Sequence, residues 1–219
     1  MPTTALHVAH RLVAPPLAWL LRPTVTGASR VPPGGGVVLA VNHISNLDNY
    51  LLSAVCPRPV TYLGKQELSR GVFGAFNRAL GMVPVARGRA DIEVLEHLAA
   101  LLRAGAVVAV FPEGTRTPTG ALHRFRSGLA RIAHIASAEA IPVGIRGTAQ
   151  VWPRGRGPAW RRPRPGLLQV HFGAPVPPPQ QPRGRARRDW TEHVRSRVAA
   201  LSGQPLADSF APTGDHAAP

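Results

Sequence analysis

A chain of 219 residues is long enough for one domain with a sizeable core, and its apolar share of 44% excludes wholesale disorder. A single cysteine, Cys56, excludes an internal disulfide. The net charge of +15 predicts an anionic partner: nucleic acid, an anionic lipid surface or a phosphorylated substrate. A blander source stays open, because every basic residue except Lys65 is arginine and Ala, Gly and Pro abound, as GC-rich coding would produce. Against that background Lys65 marks a position that wants a compact ammonium.

Residues 5–21 read as an amphipathic helix, or a helical pair broken at Pro15-Pro16, with Trp19, Leu20 and Leu21 suited to a membrane interface or to a domain core. No signal peptide is read here, and no apolar run approaches the ~20 residues that a membrane-spanning helix needs. Pro32 to Gly36 is a turn, and Val37 to Val41 a buried strand. Asp48 to Val55 is helical, Val60 to Leu63 a strand, Gly71 to Leu80 a helix and Met82 to Ala86 a strand. Apolar residues at helical spacing (Ile92, Leu95, Leu98, Leu102) predict a helix from Asp91 to Leu102. Ala106 to Phe111 is the clearest buried strand; a helix from Ser127 to Ala138 and strands at 141–145 and 167–172 follow. Two arginine- and proline-rich stretches, 153–165 and 175–188, read as loops. Strands alternating with helices predict an α/β fold: a mostly parallel or mixed central sheet flanked by helices, whose ligands gather beyond the carboxyl ends of the strands.

Two motifs begin where an apolar strand ends. In Asn42-His43-Ile44-Ser45-Asn46-Leu47-Asp48, five residues turn a helix by about 140°, so His43 and Asp48 cannot share a helix face. His43 therefore belongs on the loop, with Asp48 opening the helix and reaching back to fix the imidazole tautomer. No G-x-S-x-G is present, so the pair must activate an external hydroxyl or water. In Phe111-Pro112-Glu113-Gly114-Thr115-Arg116, backbone amides can turn toward an anion while Arg116 offers a fork for phosphate. A plain Glu113–Arg116 pair is the simpler alternative.

Taken together and in order, these blocks resemble the glycerolipid acyltransferase family that includes the 1-acyl-glycerol-3-phosphate (lysophosphatidic acid) acyltransferases. The resemblance runs from about Thr24 to Thr148. It includes Val31-Pro32, Asn42 to Asp48, Lys65 to Leu68 with Phe73-Gly74, and Gly81 to Val85 leading to Arg87. Phe111 to Arg116, Phe125 to Gly128 and Ile141 to Val143 complete it. Asn49 stands where the family often has proline, Asn46 replaces a frequent aromatic and Arg126 a frequent lysine. The resemblance implies acyl transfer from acyl-CoA or an acyl carrier protein to the 2-hydroxyl of 1-acyl-glycerol-3-phosphate, giving phosphatidic acid. It implies His43 as general base and Asp48 as its orienter. Lys65, Arg87, Glu113, Gly114, Thr115 and Arg116 would surround the phosphate-bearing acceptor. No cofactor is called for.

The expected organisation is a membrane-contact segment at 1–23, an acyltransferase domain at 24–202 and a disordered tail at 203–219, placed peripherally on the cytoplasmic face of the cell membrane. Rivals are a relative acting on another lysolipid or an amino-acid lyso-lipid, and a non-catalytic binder of anionic surfaces or nucleic acid. The arginine runs lack the interleaved aromatics of single-strand binding, so nucleic acid is not expected as a partner. His97, His123 and His134 lack metal-ligand spacing and read as ordinary surface or core histidines. Phe73, Phe76 and Leu80 read as core, or as a helix wall lining an acyl tunnel.

Overall fold

The computed structural model describes residues 4–85, 91–159, 161–181 and 183–212. Strands β1 (Thr24–Thr26), β2 (Val37–Val41), β3 (Val60–Lys65), β4 (Met82–Val85), β5 (Val107–Val110), β6 (Glu139–Arg146) and β7 (Gln169–Phe172) form one sheet. Its order is β1-β7-β6-β2-β5-β3-β4. Five neighbouring strands, from β6 to β4, run parallel. β7 lies antiparallel to β6 and carries β1 parallel to itself, so the sheet is mixed at that edge.

β2 occupies the middle, and all five of its residues are buried. Its side chains alternate between two apolar layers, as a strand covered on both faces requires. Val37, Leu39 and Val41 join Leu51 and Leu52 of helix α2 (Leu47–Val55) and Leu21 of helix α1 (Thr4–Leu21). Val38 and Ala40 join the opposite layer, built on helices α4 (Asp91–Arg103), α5 (Gly128–Ile135) and α7 (Gly184–Ser202). Helix α3 (Gly71–Ala79) lies beside α1 on the first layer, and the short α6 (Thr148–Val151) follows β6.

At the N-terminal helix one of two open alternatives holds, and two sequence expectations meet a different outcome. α1 continues unbroken through Pro15 and Pro16. The two prolines withhold the amides that would reach the carbonyls of Arg11 and Leu12, and both carbonyls belong to exposed residues, where water can satisfy them. The arginine-rich stretch at 175–188 is not all loop, because α7 begins at Gly184. Its buried Thr191, Val194, Arg195, Val198 and Ser202 recur at three- and four-residue spacing on an otherwise charged helix. Residues 203–212, expected to be a loose tail, are pinned in place. Leu122 N–H donates to the Pro205 carbonyl (2.8 Å), Ala207 N–H to the Leu122 carbonyl (3.0 Å), and the buried Arg195 holds the carbonyls of Leu122, His123 and Ala207. The remainder of that expected tail, 213–219, lies outside the described residues. Among the described residues, no helix is long and apolar enough to cross a membrane.

Candidate active site

Three adjacent parallel strands, β6, β2 and β5, end side by side, and the residues just beyond them build the site. Beyond β2, the buried Asn42 behaves as an extra rung of ladder: its amide donates to the Ile145 carbonyl (2.9 Å) while its oxygen accepts the Ile145 N–H (2.7 Å). This fixes the chain direction at His43. Asp48, in the first turn of α2, is wholly buried and its carboxylate is fully used. One oxygen accepts the Ile44 and Ser45 amides and His43 Nδ1, each at 2.8 Å. The other accepts the Thr148 hydroxyl at 2.5 Å. A carboxylate held this firmly keeps the imidazole proton on Nδ1 and leaves the Nε2 lone pair for the cleft. The ring is 16% exposed and packs on Phe111, with centroids 4.2 Å apart.

The loop after β5 is tied to the loop after β2. His43 N–H donates to one oxygen of Glu113 (3.1 Å), His123 N–H to the other (3.0 Å), and Thr117 N–H to the His43 carbonyl (2.8 Å). The main chain of His43 is thus gripped on both sides by the loop that carries the second motif. Glu113 was expected among the groups around the acceptor; the structure places its carboxylate fully buried beneath the loop, facing main-chain amides and not Arg116. Burial pushes that carboxyl up to about 7, despite the two amides that favour its charged form. Gly114, Thr115 and Arg116, the other residues of this motif expected at the site, do line the cleft. Gly114 has φ +78°, a conformation that favours glycine, and a Cβ there would sit 2.8 Å from Arg126 Nε, so the Arg126 side chain would have to shift. Thr115 and Arg116 are half-buried beside it. Burial first, and then the neighbouring Arg154 guanidinium, push the Arg116 guanidinium down from its ordinary value. Two poorly solvated cations side by side favour an anion between them.

Lys65 ends β3 in register with Val85 of β4, which places its backbone on the same carboxyl edge of the sheet. Arg87 lies outside the described residues.

The cleft in front of His43 encloses about 530 Å³. Its far wall is apolar, with Tyr50, Leu63, Phe73 and Trp152. Tyr50 stacks between Trp152 and Phe76 (centroids 6.2 Å apart on each side) and donates its hydroxyl to Asn77 Oδ1 (2.7 Å). Burial pushes the Tyr50 phenol up to about 12, so it remains a neutral wall. Of the three α3-region residues expected in the core or along a tunnel wall, Leu80 is buried, Phe73 lines the cleft and Phe76 is partly exposed. A cleft with an imidazole at its centre, a cationic rim and an aromatic wall suits an amphipathic substrate that carries both an anion and a hydrocarbon chain.

Sequence reasoning missed Thr148, Arg154, Tyr50 and Trp152. Thr148 had an available signal: it follows β6 immediately after Gly147, at the same strand-end station as His43. Nothing in sequence separation ties it to Asp48, which is 100 positions away.

Comparison with known proteins bears on the same residues. The acyltransferase family model matches residues 22–146, which include both motifs. The chain is 30% identical over 159 residues to a 1-acyl-sn-glycerol-3-phosphate acyltransferase of Chlamydomonas reinhardtii, covering 71% of this chain and 47% of that protein. It is 29% identical to the 1-acyl-sn-glycerol-3-phosphate acyltransferase of Pseudomonas aeruginosa, over 86% of this chain and 70% of that one. The chain thus spans about half the length of the algal relative, and likewise 49% of a Mycoplasma genitalium relative. The crystal structure of the 1-acyl-sn-glycerophosphate acyltransferase PlsC from Thermotoga maritima superimposes with a TM-score of 0.71 at 25% identity, covering 91% of this chain and 80% of that chain. With a family match across more than half its length and both motifs inside that match, this chain belongs to the acyltransferase family.

Proposed function

We propose that the protein moves a fatty acyl group from a thioester, acyl-CoA or acyl carrier protein, to the 2-hydroxyl of 1-acyl-glycerol-3-phosphate, giving phosphatidic acid. The observation that carries this reading is His43, with Nδ1 bound to a fully coordinated Asp48 and Nε2 open to a cleft rimmed by Arg116. Nε2 takes the proton of the acceptor hydroxyl as its oxygen attacks the thioester carbonyl. The new C–O bond forms, the C–S bond breaks, and the departing thiolate recovers the proton from the imidazolium, leaving the enzyme unchanged. A thioester is already activated, so the deprotonated alcohol is the component that the protein must supply. Arg116, with Arg154 behind it, holds the acceptor phosphate together with Lys65 and Arg87. Gly114 and Thr115 shape the loop beside it, and residues 24–202 form the acyltransferase domain. Names given to the relatives support this acceptor. An acyl-transfer assay against a panel of lysolipids, with products identified by mass spectrometry, tests it; transfer to another lysolipid and not to 1-acyl-glycerol-3-phosphate overturns the acceptor assignment.

A half-buried guanidinium that binds phosphate through charge-assisted hydrogen bonds is worth about 1.5–3 kcal/mol. Arg116→Ala is therefore expected to lower kcat/KM for the acceptor by roughly 10–150-fold while leaving the KM for the thioester near its parental value. Steady-state kinetics with each substrate varied in turn check this, and unchanged acceptor kinetics remove Arg116 from the phosphate site.

The membrane reading extends beyond α1. Leu12 and Trp19 of α1 are 69% exposed, Val72 at the start of α3 is 89% exposed, and α3 lies against α1 beside the cleft mouth formed by Leu68 and Phe73. Arg162 stacks its guanidinium over Trp19 at 4.1 Å, which sets a cation at the edge of the apolar surface. Apolar tips flanked by arginine describe a surface that sits in the headgroup region of an anionic bilayer, here the cytoplasmic face of the cell membrane. Burial of one such side chain contributes about 1.5–3 kcal/mol. Trp19→Ser and Val72→Ser are each expected to weaken vesicle binding at high salt by roughly 10-fold, measured by sedimentation with anionic liposomes. Equal binding by the double variant and the parent sinks this surface. Point changes are preferable to removing α1, because Leu17 and Leu21 on its other face close the core.

A further inference from the structure

A second groove, of about 580 Å³, lies on the other side of the loop that carries the second motif. Its walls are residues 124–127, which lead into α5, the first turns of α7, and Phe210. Four arginines line it: Arg124, Arg126, Arg187 and Arg188. Arg126 is engaged, with its Nε at the Glu113 carbonyl and its Nη2 at the Ala211 carbonyl. Among the described residues, the side chains of Arg124, Arg187 and Arg188 have no hydrogen-bonding or ion-pair partner. The two acids at the groove are already committed, Asp189 to Arg185 (3.5 Å) and Glu192 to the buried Arg195 (2.7 Å). Among the described residues, four arginines therefore face two carboxylates that are already paired, and the groove carries a net positive charge. Phe210 adds an exposed ring at the rim, 5.8 Å below the Arg126 guanidinium.

Position gives these cations a meaning. The strip Glu113–Gly114 separates the two grooves: Gly114 lines the His43 cleft, and Arg126 of the second groove rests against it. The exposed apolar tips of α1 and α3 belong to the helical layer on one face of the sheet, while α5 and α7 form the layer on the opposite face. A molecule whose hydrocarbon end enters the His43 cleft from the lipid side can therefore present a water-soluble, phosphorylated end on the α7 side. We propose that the groove between residues 124–127 and the start of α7 holds the phosphorylated nucleotide end of a coenzyme A thioester donor, with its phosphates on Arg124, Arg187 and Arg188 and its base against Phe210. The volume lies in the range of small-molecule pockets, and convergent arginines with an aromatic face match a nucleotide's phosphates and ring. This assignment rests on the acyl-transfer reading above, since it names where that donor's carrier group sits.

Calorimetric titration of the full chain with free CoA, with no acceptor present, tests the groove independently of which lysolipid is acylated. The parent is expected to bind CoA and to bind pantetheine, which lacks the nucleotide, far more weakly. The triple variant Arg124→Gln, Arg187→Gln, Arg188→Gln is expected to weaken CoA binding by about 10–100-fold, and Arg188→Gln alone, at an exposed position that the fold does not need, by about 3–10-fold. Parental CoA affinity in these variants overturns the proposal. So does equal affinity of the parent for CoA and pantetheine. Binding of a holo acyl carrier protein without measurable CoA binding overturns it as well, because the cations would then serve a protein surface.

Discussion

His43→Ala is expected to lower turnover by about 10²–10⁴-fold, the usual worth of a positioned general base, while the protein keeps its fold. The ring contributes little to the core, since it is partly exposed and its one large apolar contact is Phe111. Its loss removes the only imidazole that faces both the apolar wall and the cationic rim of the cleft among the described residues. Asp48→Asn is expected to lose most of the same activity for a different reason. The carboxylate accepts two amides, an imidazole N–H and a hydroxyl, and an amide NH₂ in its place would confront donors with a donor. The imidazole would then lose both its tautomer and its orientation. Thr148→Val withdraws only one of those four donors and is expected to cost less than Asp48→Asn. Initial rates of thiol release, read with melting curves on each variant, check the series. Near-normal turnover in a folded His43→Ala protein removes the mechanism, and so does isolation of a covalent acyl-enzyme.

Much of this site was legible because the signal is local. Val37 to Val41 and Val107 to Val110 are continuous apolar runs, and a run of that length flanked by polar turns reads as a buried parallel strand. Both motifs follow such runs directly, so their placement at one sheet edge follows from the way parallel sheets are wound. The five-residue spacing of His43 and Asp48 has few solutions, and the structure adopts the one with the acid at the helix start. What escaped is what depends on distant partners. Whether Glu113 faces substrate or core is decided by the amide of His123 and by how the loop closes over it, neither of which a spacing expresses. Thr148 meets Asp48 only because β6 and β2 are neighbours out of chain order. α7 is so rich in arginine that composition hides its buried stripe, and residues 203–212 are held by backbone pairing with residues 122–124, which leaves no mark on side-chain type.

Glu113→Ala is expected to destabilise the fold by roughly 2–6 kcal/mol, since each buried amide left without an acceptor costs about 1–3 kcal/mol and two would be stranded. One of those amides is that of His43, so turnover is expected to fall further than acceptor affinity. Glu113→Gln separates charge from hydrogen bonding. It keeps one acceptor oxygen, turns an NH₂ toward the other amide, and cannot ionise, so it is expected to cost less than alanine and to behave differently with pH. In the parent, burial raises the Glu113 carboxyl from 4.5 to about 7, with the nearby Asp48 acting in the same sense and Arg195 opposing. The folded state therefore holds a proton that the unfolded chain releases between these values. The associated stability is fully present below about pH 4.5, is lost as the pH rises toward 7, and is level beyond it. At about 1.4 kcal/mol per pH unit, the parent is expected to lose about 2–3 kcal/mol between pH 5 and pH 8 relative to Glu113→Gln. Urea unfolding of parent and variant at both pH values measures the difference directly. Parallel pH dependence in the two proteins would show that Glu113 is ionised throughout, with its two amides and Arg195 outweighing burial; parental stability and turnover in Glu113→Ala would show that the grip on His43 comes from Thr117 and the β2 ladder alone.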